Sequence, residues 1–160
     1  MIPVTEIPIE EALRHELAHL FAVRWNPLAI PLLAQGVTIW LQQRLMGLHV
    51  DRVSGYFIAR GEGDIISIVE PSKFNEPGNE GRAHVLAASF CGFLIRRHGW
   101  EAFIRLYRKA DRDPRRFASL FAKVVKEDIE SEVERWHQEI LQIEGVHLPL
   151  FEQVEQFGQG

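Results

Sequence analysis

The stretch Leu13-Arg14-His15-Glu16-Leu17-Ala18-His19-Leu20-Phe21 places two imidazoles four residues apart, with a carboxylate directly after the first. On a helix, residues at that spacing stack on one face, so His15 and His19 can offer two nitrogen ligands to one metal ion. Zinc suits such neutral nitrogen donors, and Glu16, one position along, can reach a water held by the metal. The chemistry this spacing suggests is metal-assisted hydrolysis. Leu13, Leu17 and Leu20 fall on the opposite side. The pattern therefore predicts a helix from about residue 8 to 24 that packs through its leucines and turns its histidines to a cleft.

Outward from this stretch the signals remain mostly helical. Pro8 suits a first turn, and Glu10 and Glu11 follow where the helix dipole favours negative charge. Trp25-Asn26-Pro27 ends the helix, and Pro31 opens a second one to about Met46. That second helix is apolar nearly all round, as a buried element would be. Gly36 within it implies either close approach of another backbone or simple helix packing.

The pattern changes between residues 47 and 81. Two apolar runs, 55–60 and 64–69, separated by Gly61-Glu62-Gly63, fit a short β-hairpin, with an irregular loop as the competing reading. Residues 71–81, rich in turn formers, read as a loop suited to the rim of an active site. Helical signals return over 82–98, with Gly99 as the stop, and a short helix follows over 100–109. Asp113 can cap a helix that begins at Pro114 and ends near Val125. Residues 127–141 supply the last helix, and the tail from 145 to 160 is either mobile or draped over the domain. The expectation is one mainly α domain over residues 1–160.

Composition narrows the classes. The chain has 160 residues, enough for one domain to bury about two thirds of its unfolded surface. Its one cysteine, Cys91, excludes an intrachain disulfide and sits among apolar neighbours as a small buried hydrophobe. A net charge of −4, with acids and bases interleaved, gives no electrostatic footprint for nucleic acid. The pairs Arg96-Arg97 and Arg115-Arg116 read as solvated helix faces. The first residues lack a secretion signal and no apolar run is long enough to span a membrane, so the reading is a soluble chain, cytoplasmic by default. Met1 also suits the start of a domain excised from a longer protein.

Two histidines need a third protein ligand to hold a catalytic zinc. The stretch Pro31-Leu32-Leu33-Ala34-Gln35-Gly36-Val37-Thr38-Ile39-Trp40-Leu41 resembles the segment tryptophan-leucine-x-glutamate-glycine-x-alanine-x-tyrosine of gluzincin metallopeptidases, the peptidase MA-like group. His84 to Leu94, continued by His98-Gly99-Trp100-Glu101, resembles the family's later helix. The segment Phe117 to Trp136 resembles its closing one. The resemblance covers about residues 10–138 and implies a helical zincin-like domain acting on peptides or proteins. It makes His15, His19 and Gln35 the zinc ligands and Glu16 the general base. It also places His84 where the family carries a tyrosine that hydrogen-bonds the developing oxyanion, a bond a protonated imidazole can donate.

Two departures bear on activity. Gln35 stands where the family has a glutamate, and its amide oxygen brings no charge to the metal. Gln35 is then a weak ligand, or Glu70, Glu76 or Glu80 swings in from the loop, or zinc is absent. The family also carries a β-sheet ahead of the zinc helix, whose edge strand pairs with substrate. Here only seven residues precede that helix, unless residues 47–70 supply a substitute strand. His49, His98, His137 and His147 read as surface residues, and Trp25, Trp40, Trp100 and Trp136 as core. The functions in competition are a zinc metallopeptidase, a degenerate peptidase-like domain that binds peptide or protein without turnover, and a plain helical interaction module.

Overall fold

The computed structural model describes residues 26–158 apart from Met46, together with Leu13, Leu17 and Leu20. His15, Glu16 and His19 lie outside the described residues, as does Trp25. Leu13, Leu17 and Leu20 are helical, and they are exposed, at 59, 38 and 42 %. The packing expected of these leucines is not found.

Among the described residues from 26 onward there are eight helices and one two-stranded antiparallel sheet. Helix α1 is Pro31–Gln42, strands β1 and β2 are Arg44–Leu45 and Leu48–His49, and α2 is Val50–Ala59. Two single-turn helices follow, α3 at Ile65–Ile68 and α4 at Pro71–Phe74. Helix α5 runs over Glu80–Lys109, α6 over Pro114–Val125, α7 over Ile129–Ile140 and α8 over Leu150–Phe157. The domain is mainly α, as expected. No helix among the described residues is long and apolar enough to cross a membrane.

Helix α5 is the central element, and α1 lies directly against it. A Cβ built on Gly36 would stand 2.6 Å from the Cys91 sulfur and 2.7 Å from the Ala87 carbonyl oxygen. The two helices therefore approach more closely than any side chain at residue 36 would permit, which is the backbone contact that its glycine implied. Cys91 is fully buried at this crossing, where its thiol donates to the Leu32 carbonyl at 3.6 Å. Burial pushes that thiol well above its ordinary range, so it behaves as a hydrophobe and not as a nucleophile. On another side of α5 the core is aromatic. Phe90 meets Trp136 edge-on at 5.5 Å between ring centres and Phe121 in a stacked arrangement at 6.4 Å.

The helix punctuation follows the sequence closely. Gly99 has φ 86 and ψ 162, a conformation available essentially to glycine alone, and it kinks α5 into two helical pieces where the sequence expects a stop. The Asp113 carboxylate caps α6 by accepting from the backbone N–H groups of Arg115 and Arg116. Asp128 caps α7 in the same way through Ser131, and that hydrogen bond holds its carboxyl below the ordinary value.

Other expectations are corrected. The hairpin proposed over residues 55–69 is helical there, in α2 and α3, while the antiparallel pair lies earlier and pairs Arg44 with His49 and Leu45 with Leu48. The reason is visible in burial: Val50, Val53, Ser54 and Ile58 are buried at helical spacing, and the His49 side chain caps α2. Helix α1 stops at Gln42 because Gln43 turns left-handed, with φ 65. Within the loop over 71–81, Pro71 begins the short α4. The tail adds a helix, α8, which is anchored by the buried Gln153 amide donating to the Val146 and Leu148 carbonyls at 3.0 and 2.8 Å. Trp136 is core, Trp40 is half-buried and Trp100 is 41 % exposed.

Candidate functional site

Of the residues that the motif reading names, Gln35 and His84 are described. Gln35 lies on the exposed side of α1, whose buried face is built from Leu32, Leu33, Gly36, Val37 and Leu41. Its side chain is thus exposed, and it is carried on the helix that crosses α5. His84 is half-buried near the start of α5, with its ring edge-on to Phe74 at 5.0 Å. The loop carboxylates considered as replacements are outward: Glu70 is exposed and accepts from the Ser72 hydroxyl at 2.8 Å, and Glu76 is exposed in the following turn. The side chain of Glu80 lies outside the described residues. Among the described residues, no group of three or more histidine, cysteine, aspartate and glutamate side chains could hold a metal ion.

The substitute strand sought in residues 47–70 is limited to the two residues of β2. That is too short to pair with an extended peptide over more than one step of the ladder.

The structure assembles two polar clusters around His49 and His98, which are engaged in contacts and not the free surface residues that the sequence suggests. In the first, His49 caps α2 through its ring: the Asp51 backbone N–H donates to His49 Nδ1 at 3.1 Å. A nitrogen that accepts carries no proton, so this bond requires the neutral imidazole. Burial lowers the His49 pKa from its ordinary value. Asp51 pulls it upward, and Arg44 and Arg96 add to the lowering. Asp51 itself accepts from the Ser89 hydroxyl at 2.7 Å, and that hydroxyl accepts from the Trp136 indole N–H at 2.9 Å. Arg96 completes the cluster by reaching Asp51 at 3.5 Å and Glu139 at 3.3 Å.

The second cluster joins α5 to α7. The Glu132 carboxylate is fully buried, with Arg97 Nε 3.1 Å from Oε2 and His98 Nε2 bonded to Oε1. A carboxylate taken from water needs such partners. His137 is likewise engaged, its Nε2 lying 2.8 Å from the Gly63 carbonyl oxygen, whereas His147 is exposed as expected. These contacts join residues 34 to 74 positions apart, and no short spacing in the chain announces them.

No family model, no curated protein and no solved structure matches the chain. Its residues alone carry the functional reading.

Proposed function

We propose that this chain is a zinc-dependent, metallopeptidase-like domain of the gluzincin kind, with His15, His19 and Gln35 as metal ligands and Glu16 as general base. The observation that carries the reading is the His15-Glu16-His19 spacing, seconded by an accessible Gln35 on the following helix. The donor set matches a three-ligand zinc site in number, but its third member is a neutral amide oxygen where a carboxylate is usual, which weakens the site. A bound zinc would polarise the peptide carbonyl and acidify the attacking water. Glu16, which neighbours the ligands without being one, would serve as the general base that moves a proton from water to the leaving amine. His84, when protonated, donates to the oxyanion that forms on the substrate carbonyl.

A second reading is favoured by one residue. Gln35 supplies no negative charge where the family resembled has a glutamate, so a domain of this kind that binds peptide or protein without turnover is the alternative. Cleavage of an unfolded protein in saturating zinc separates the two. The enzyme reading expects cleavage that Glu16→Gln abolishes, by a factor of about 100 or more if the general base is lost. No cleavage by the wild-type chain at saturating zinc favours the binding role.

A further inference from the structure

An open cavity of about 520 Å³ lies among α1, β2, α2, α5 and α7, built on the first of the two polar clusters. Its walls include the Trp40 ring, Asp51, Arg96, Glu139, Ile140 and Ile143. Trp40 is held against the backbone of α5, since a Cβ on Gly92 would stand 2.5 Å from its ring. The Arg96 guanidinium sits 5.5 Å from the centre of that ring, 3.5 Å from Asp51 and 3.3 Å from Glu139. Two carboxylates and an aromatic face, the three groups that recognise an organic cation, thus surround one supplied by the chain itself.

The occupant is held loosely. Both ion contacts are long for charge-assisted hydrogen bonds, and the Arg96 side chain is 39 % exposed. Asp51, by contrast, is fixed by the Ser89 hydroxyl and the Trp136 indole behind it. His49, neutral while it caps α2, adds no positive charge. Among the residues that line the cavity two carboxylates stand against one guanidinium, with Arg44 also acting on His49 at its edge. Ile143, partly exposed on the cavity wall, offers apolar surface to a hydrocarbon stem.

We propose that this cavity binds an alkylguanidinium or alkylammonium group, which replaces Arg96 at Glu139 and over the Trp40 ring. The proposal does not depend on the peptidase reading. The shared chemistry belongs both to a basic side chain of a peptide and to a small free cation.

Nuclear magnetic resonance titration of the full chain, read at the Trp40 indole N–H, tests this. The probes are butylguanidinium and Nα-acetyl-arginine methylamide, with butyrate as the anionic control. Both cations are expected to give a saturable shift that butyrate does not. Glu139→Gln is expected to weaken each by about threefold, the usual scale of an exposed ion pair. Arg96→Gln, by removing the internal competitor, should tighten each several-fold. Tighter binding of the acetylated amide than of butylguanidinium assigns a peptide side chain, and equal binding assigns a small cation. The proposal is overturned if neither cation saturates, if butyrate shifts the signal equally, or if Glu139→Gln leaves both affinities unchanged. Glu139 is half-exposed, so its variant carries the test even if Arg96→Gln fails to fold.

Discussion

At the scale of single residues, Gly36 and His49 each constrain the chain around them. Alanine at residue 36 would favour helix formation by roughly 0.5 to 1 kcal/mol, but its Cβ would press into a carbonyl oxygen and a buried sulfur at under 3 Å. Overpacking of this kind outweighs the propensity gain, and we expect Gly36→Ala to destabilise the fold by about 1 to 3 kcal/mol in urea denaturation. A stabilised variant would show that α1 and α5 do not meet as described.

His49 makes stability depend on pH. The unfolded chain takes up a proton on this residue near its ordinary value of 6.5, whereas the fold keeps the imidazole neutral to lower pH. Between those two values the unfolded state binds more protons, so stability rises with pH. The contribution is complete above pH 6.5 and is lost as the pH falls through the lowered folded value. Asparagine caps a helix without titrating, so the loss of stability between pH 7.5 and 5 should be smaller in His49→Asn than in the wild-type chain. Equal losses in the two proteins would remove His49 from the account.

At the scale of elements, helix ends are the best-written feature. The Asp113-Pro114 start, the Gly99 stop and the Pro31 start all appear where local chemistry put them, because a cap, a proline ring or a positive φ acts within one or two residues. Replacement of Gly99 should therefore be costly: with φ 86 and ψ 162, Gly99→Ala is expected to lower stability by about 1 to 3 kcal/mol, seen as a shift of the thermal midpoint. An unchanged midpoint would mean that α5 runs through this position unbroken. The hairpin assigned to residues 55–69 was misplaced for a matching reason. Tyr56-Phe57-Ile58 reads equally well as a short strand, and what decides for a helix is burial of Val50, Val53, Ser54 and Ile58 by distant parts of the chain. Leu45 and Leu48 pair across a turn with φ 80 at Gly47, a signal too brief to register as two strands.

At the scale of the whole molecule, the mainly α architecture and a single buried cysteine were legible, since both follow from composition and periodicity. The sequence-named site residues Gln35 and His84 were legible only as types. Their burial depends on how α1 and α5 face their neighbours. The Asp51, Arg96, Glu139 and Ser89 cluster was not legible at all. Asp51 is 38 residues from Ser89 and 45 from Arg96, so only the folded chain brings these groups together. The two polar clusters also link α5 to both α2 and α7, so the central helix is tied to two neighbours by charge as well as by packing.

The zinc reading turns on one missing charge. A neutral amide at residue 35 leaves two imidazoles and an oxygen dipole to hold a divalent ion, while glutamate there would add a full negative charge. Zinc affinity measured by competition with a chromophoric chelator, on the wild-type chain, Gln35→Glu and His15→Ala, tests this most directly. The account predicts weak, substoichiometric zinc in the wild-type chain, at least tenfold tighter binding in Gln35→Glu, about 1.4 kcal/mol or more, and none in His15→Ala. Equal and negligible zinc in all three proteins would contradict it.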